Sequence, residues 1–292
     1  MLWINQEFLP MFNTTEIIID TFVERLRTYY QQAFGLLDPE NPNIISYFGR
    51  LALENLANSD AAYHNMEHTI LVTEVGQLIL KGKHIREGGV HPYDWLHFTL
   101  GSLCHDLGYH RGILPEDKPG HYIINKEGES IELPPGATDA ALAPYHVDRS
   151  KLFVDTWFND IKKVDANYLK EMIEHTRFPV PEKQRDRNIS SYLGLQRCAD
   201  LIGQIGDINY ARKSAALFYE LKECNMAEKM GYHNPADVRK NYPKFFWKQI
   251  SPLIQEGIRL LKVTQEGKLW LSSLYSHVFV EEHGEDGLGA ER

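Results

Sequence analysis

The chain has little that would mark it as secreted, membrane-embedded or nucleic-acid-coating. Cysteine is scarce. Cys104, Cys198 and Cys224 are odd in number and widely spaced, a pattern of buried thiols in a reducing cytoplasm rather than of a disulfide framework. No apolar run approaches the ~18 residues of a membrane span; stretches such as Ile17–Ile19 break within a few positions. The opening MLWINQEFLP lacks the basic start and small-residue cleavage site of a secretory leader, so a cytoplasmic chain with no membrane partner is expected. Positive charge is also short, with 31 Lys+Arg against 40 Asp+Glu and a net charge of −9. That balance argues against an extended nucleic-acid footprint. It also repels any phosphorylated substrate unless cations are held in the site.

What is present is an ordinary globular composition, 43% hydrophobic and 24% charged. A chain of 292 residues buries enough surface to fold without disulfides or metal. Its 13 histidines, in no histidine-rich tract, are a second pointer towards metal.

Helical periodicity runs nearly throughout. Asn13-Thr-Thr-Glu16 reads as a capping box, followed by Ile19, Phe22, Val23, Leu26 and Tyr30 at helical spacing as far as Gly35. Asn41-Pro42 opens a second helix. A third is expected from Met66 to Leu80, stopped by Gly82, and a fourth from Tyr93 to Asp106. Further helical segments are expected over 145–159, 166–177, 189–205, 208–224, 236–262 and 265–279, with Asp165 and Asp207 as N-caps. Residues 111–143 are instead rich in Pro, Gly and charge, with a small β-hairpin expected from His121–Asn125 and Ser130–Leu133. The expected organisation is one all-α domain. Residues 1–60 form N-terminal helices packed on a core of 61–262 that carries the 111–143 insert; 263–280 form a C-terminal helix and 281–292 a disordered tail.

Chemistry concentrates in a few places. His64 and His68 stand four apart at the start of the third helix, a spacing that puts both imidazoles on one helix face, within reach of a common ion or substrate. His105-Asp106 closes the largely apolar run Phe98–Cys104, and a buried charge must be paired or coordinated. His146, His175 and Asp200 each sit in a later helix among apolar neighbours. The ordered set His68, His105-Asp106, His146, His175, Asp200 supplies N and O donors with no thiolate. Such ligands suit divalent Fe, Mn, Zn or Mg.

This pattern resembles the HD-domain superfamily of metal-dependent phosphohydrolases. Tyr63-His64-Asn65-x-x-His68, His105-Asp106 and Cys198-Ala199-Asp200-Leu201 are similar to the catalytic domain of class I cyclic-nucleotide phosphodiesterases, as is Phe246-Trp-Lys-Gln-Ile-Ser-Pro252-Leu253 to its F-x5-P-L segment. The resemblance implies a helical HD-type bundle in which His68, His105, Asp106 and Asp200 hold a first ion. Asp106 would bridge to a second ion, and His64 would be the general acid. His146 and His175 resemble the extra ligands of the dinuclear HD proteins, which include HD-GYP phosphodiesterases and mixed-valent diiron oxygenases; both would then ligate the second ion.

The departures are specific. The phosphodiesterase HDxxH becomes Asp106-Leu-Gly-Tyr-His110, and Pro243 stands where that family carries its purine-clamping glutamine. The oxygenase branch has lysine where this chain has Tyr109. The expected activity is hydrolysis of a small, nucleotide-like phosphoester, most readily a diester. A diiron oxygenase or a non-catalytic ligand-binding domain is the alternative. His110, Arg177, Gln196 and Arg197 are candidate substrate contacts, and the insert, with Lys118 and Lys126, is a candidate mobile lid. Oligomeric state is not legible.

Overall fold

A computed structural model describes residues 12–182 and 189–283. It is mostly helical, with a two-stranded antiparallel sheet. α1 (Thr14–Phe34) and α2 (Asn41–Ala57) form a hairpin that packs on α3 (Met66–Glu87) and α4 (Pro92–Cys104). After a short 3-10 turn (Leu107–Tyr109) comes the insert. It holds β1 (His121–Ile123), β2 (Ser130–Glu132) and a 3-10 segment (Asp139–Tyr145). α5 (His146–Trp157), α6 (Ala166–Glu174) and α7 (Tyr192–Ile205) follow. Then come α8 (Tyr210–Glu223), the short α9 (Met226–Met230), α10 (Pro235–Lys240) and α11 (Tyr242–Phe245), α12 (Ser251–Leu261) and α13 (Gln265–His283). Among the described residues no helix is long and apolar enough to cross a membrane.

Local chemistry sets the helix starts. Asn13 accepts from the Glu16 amide and Asp165 from Asn167 and Tyr168, as N-caps do. Asp207 lies two residues early: Asn209 is the N-cap of α8, while Asp207 accepts from the Asn209 amide and pairs with Lys213. Gly82 does not end α3, which runs to Glu87 with Gly88 as its cap. A Cβ at Gly82 would lie 2.2 Å from the Leu260 carbonyl oxygen, so this glycine lets α12 cross α3 at close range. The expected helix over 236–262 is broken into α10, α11, a π-helical turn at Phe246–Ile250 and α12. Pro252 has no N–H to give the Lys248 carbonyl, which favours an irregular turn there. At the C-terminus, helix α13 extends through His283 where a disordered tail was expected; the rest of that tail lies outside the described residues.

One apolar core runs through the molecule, from Ile19 and Leu26 on α1 through Val75, Phe98, Phe153 and Ile202 to Leu274 on α13. α3 and α7 pack along much of their length, with α4 and α12 against them. A smaller cluster of Tyr63, Leu217, Phe218, Tyr232 and Val238 joins α8 to the turn before α3.

The hairpin pairs His121 with Glu132 and Ile123 with Ser130, as its residues suggest. The insert is not, however, hinged only at its base. Arg149 on α5 is fully buried. Its guanidinium donates to the carbonyls of Gly108, His110 and Ile123 and forms a two-point pair with Asp117. Asp117 in turn accepts from the amides of Gly112, Leu114 and Ile123. At the other end Asp139 accepts from Arg111 and its own amide donates to Asp60, while Thr138 bonds Glu223 on α8. The expected mobile lid is therefore an anchored wall.

Two outcomes follow from these anchors. Arg149→Met leaves Asp117 charged and buried without its partner, so urea denaturation should show a loss of about 3–5 kcal/mol. Lys at 149 should recover little, since it lacks the planar fork. Burial pushes the Asp139 carboxyl up, but His110 and Arg111 pull it down to about 2. With the folded value below the unfolded ~3.9, its stabilisation is full above about 4 and is lost as pH falls towards 2. Asp139→Asn should therefore flatten the acid limb of a stability–pH curve between pH 4 and 2.

Candidate metal centre

Three elements bring the candidate ligands together. Asn65 caps α3 by accepting from the Glu67 and His68 amides, which places His68 in the first turn facing inward. His105 is the C-cap of α4, and Asp106 opens the 3-10 turn. Asp200 projects from α7, which packs along α3. Gly108 lets α5 close over this turn: a Cβ there would meet the His146 carbonyl oxygen at 1.9 Å. The Ser150 hydroxyl locks the contact, donating to the His105 carbonyl at 2.7 Å and accepting from the Gly108 amide at 2.8 Å.

The geometry is that of a converging donor set. His68 Nε2 lies 3.3 Å from Asp106 Oδ2 and 3.5 Å from Asp200 Oδ1. His105 Nε2 lies 3.2 and 3.6 Å from the same two atoms. His68, His105 and Asp200 form one grouping of ligand atoms within 4.8 Å of one another, and His64, His68 and Asp106 form a second. His105 Nδ1 donates to the Ser102 carbonyl at 2.8 Å, which leaves Nε2 as the ring atom turned to the carboxylates. That atom and Asp106 Oδ2 are buried and have no hydrogen-bond partner. His97 makes the same backbone contact, but its Nε2 accepts from the Asp165 amide. The contrast separates a satisfied structural histidine from one whose Nε2 faces carboxylates with no hydrogen-bond partner.

Electrostatics agrees. Burial pushes the Asp106 and Asp200 carboxyls up, but the opposing His105 and His68 rings hold Asp106 well below the carboxylate range and Asp200 down to about 2. Burial also opposes charge on His105, yet the same carboxylates raise it well above its ordinary value. Two ionised, buried carboxylates thus demand positive charge beside them, as a proton or as a metal cation. The donor chemistry, N and O without thiolate, fits a divalent ion.

His146, first residue of α5, donates Nδ1 to the Ala143 carbonyl at 2.5 Å and turns Nε2 to within 3.7 Å of Asp106 Oδ1. Asp106 therefore faces His68 and His105 with one oxygen and His146 with the other. Burial depresses the His146 pKa, favouring the neutral ring that binds metals. His175 is the C-cap of α6; its Nδ1 donates to the Glu171 carbonyl and its own carbonyl accepts from Arg197. It is buried beside the Asp200 helix, and like His146 it belongs to neither ligand grouping.

His64 precedes the N-cap of α3 rather than sharing a helical face with His68. A turn brings the two rings to 5.2 Å between centroids. Its Nδ1 donates to Glu220 Oε2 at 2.5 Å, and Glu220 Oε1 accepts from the Tyr63 and His64 amides. Burial opposes protonation of His64, but the Glu220 carboxylate raises its pKa above the ordinary value. The ring stacks on Tyr109 at 4.7 Å, and Tyr109 stacks on His146 at 4.5 Å. Sequence reasoning missed Glu220. Its one local signal is a carboxylate beside Leu217, Phe218 and Leu221 on the inward side of α8.

The candidate substrate contacts are engaged elsewhere. His110 bonds Asp139, Arg177 pairs with Glu174 and Asp148, and the buried Gln196 amide meets Ser102 on α4. Arg197 donates to the His175 carbonyl. Lys126 is on the hairpin tip, highly exposed. Pro243 is the second residue of the short α11, after a buried Tyr242 whose hydroxyl donates to the Ile205 carbonyl.

Fold and site together define a mostly helical protein with a buried His/Asp centre able to hold a metal ion. The chain belongs to the Npun_R2479-like family, whose model matches residues 12–284. A search of curated proteins gives no match.

The split of Asp106 between two sets of imidazoles generates a metal-content test. Elemental analysis of metal-replete protein should show Asp106→Ala losing all bound ion, because that carboxylate faces His68 and His105 with one oxygen and His146 with the other. His146→Ala should lose ion only from its own side. An Asp106→Ala protein with undiminished metal content would refute the centre.

Proposed function

We propose that this protein is an HD-type metal-dependent phosphohydrolase acting on a small, nucleotide-like phosphodiester. The observation that carries the reading is the His64–Glu220 pair set against the His68 and Asp106 ligand atoms. A centre that only stored or sensed a metal has no use for an oriented proton donor at its edge. The arrangement of Asp106 between His68 and His105 on one side and His146 on the other favours two ions.

Bound ions would supply Lewis-acid neutralisation of phosphoryl oxygens and an activated water. The chain's own residues do the remainder. His68, His105, Asp106 and Asp200 would hold the cations that a protein of net charge −9 needs if a phosphate is to approach. Glu220 fixes the ring of His64 through Nδ1 and favours its protonated form. Nε2 is then the atom that gives its proton to the departing oxygen. Tyr109 holds that ring flat by stacking. It also fills the space between His64 and His146, where the diiron oxygenases carry a lysine, and this disfavours the oxygenase alternative. The replacement of the purine-clamping glutamine by Pro243 removes the usual base donor and acceptor, so cyclic mononucleotides are one class among several to screen.

Leaving-group dependence tests the reading. His64→Asn should keep its metal and lose about 10²-fold in kcat on diesters with poor leaving groups. The loss should shrink on nitrophenyl esters, which need little protonation. Equal loss on both would make His64 a ligand or a structural residue. An oxygen-dependent mixed-valence EPR signal without diester turnover would favour the oxygenase.

A further inference from the structure

The 3-10 turn that follows Asp106 ends on Tyr109, whose ring is the middle of a three-ring stack. It lies within 5° of parallel to His64, at 4.7 Å between centroids, and at 27° to His146, at 4.5 Å. Both outer rings turn a nitrogen towards Asp106. His146 Nε2 is 3.7 Å from its Oδ1, and His64 shares a ligand grouping with His68 and Asp106. The backbone under the stack is clamped. Gly108 and His110, on either side of Tyr109, both give their carbonyls to the buried Arg149 guanidinium. The His110 ring itself is turned to Asp139, at 3.2 Å.

Tyr109 is only 4% exposed, yet its hydroxyl bonds nothing among the described residues. Nor is that hydroxyl sealed in, since the small exposed area of the residue includes it. Burial pushes the phenol well above its ordinary range, and the carboxylates of Asp106, Glu220 and Asp200 push it further. The oxygen therefore sits in the field of the whole centre and stays a protonated donor. A buried phenol finds a partner for its O–H, and this one, open on the side of the centre, takes an acceptor from outside the chain. Phosphoryl oxygens are such acceptors, and one bound here lies between the proton donor His64 and the candidate ligand His146. We propose that the Tyr109 hydroxyl is a catalytic hydrogen-bond donor to a non-bridging oxygen of the phosphoryl group under attack. This rests on the phosphohydrolase reading above. No proton moves: the bond strengthens as negative charge gathers on that oxygen, while His64 protonates the departing one.

Tyr109→Phe keeps the stacked ring and deletes only the O–H. The variant should retain its metal, and because the lost hydroxyl has no internal partner its melting temperature should not fall. Diester turnover, read as kcat/KM, should drop about 10²-fold. The drop should be the same on nitrophenyl esters and on esters with poor leaving groups, unlike that of His64→Asn. Inorganic phosphate, titrated calorimetrically into the metal-replete protein, should bind about ten-fold more weakly. Undiminished turnover or undiminished phosphate affinity overturns the proposal and leaves the phosphohydrolase reading intact. A loss that tracks the leaving group makes Tyr109 a positioning residue for His64 and overturns it too. So does a lowered melting temperature, which gives the hydroxyl a structural partner. A wild-type protein that turns over no phosphoester overturns the phosphohydrolase reading itself, and the phosphoryl contact with it.

Discussion

Two ionised carboxylates, Asp106 and Asp200, sit almost out of solvent against the Nε2 atoms of His68 and His105. That juxtaposition is the most demanding constraint in the molecule, because buried negative charge is stable only beside matched positive charge. The surrounding architecture meets it by rigid packing. α3, α4 and α7 share an interior of Val75, Phe98, Cys198 and Ile202. Each delivers its ligand from a helix end or an inward face rather than from a free loop, which restricts how far the rings and carboxylates can relax apart.

A layer of hydrogen bonds turns the ligands in the right direction. The backbone carbonyls of Ser102 and Ala143 take the Nδ1 protons of His105 and His146, and Ser150 ties the Asp106 turn to α5. Arg149, one turn along from His146, binds the insert through the Ile123 carbonyl and Asp117, and the preceding turn through the Gly108 and His110 carbonyls. The same helix therefore positions a candidate ligand and pins the wall beside it. On the other side Glu223 holds Thr138 of the insert while Glu220, three residues earlier on α8, holds His64. Insert, α8 and the His64 turn form one bonded ring around the centre.

Much of this was legible in the residues alone. Amphipathic periodicity and caps located most helices, because both depend on neighbours three or four positions apart. Asn13 and Asp165 cap as their side chains suggest. The hairpin from His121 to Glu132 pairs in the expected place. The residue types His68, His105-Asp106 and Asp200, set in apolar helices, marked where charge had to be balanced, and the structure brings these four together.

Tertiary structure decided what local sequence does not encode. The His64–Glu220 contact spans 156 positions, so no periodic pattern could connect its partners. His64 and His68 look like helical neighbours, yet Asn65 starts the helix between them and a turn, not a helical face, brings the rings together. Gly82 looks like a stop but serves a crossing with α12 that only the packed fold reveals. A Pro- and Gly-rich insert looks mobile until Arg149 is seen buried within it. Spacing along the chain thus determined which side chains are chemically able to ligate and which segments are helical. Which of them meet, and which are consumed as Arg177 and Gln196 are in structural pairs, was decided by packing, because distances below 4 Å between remote residues are properties of the folded state alone.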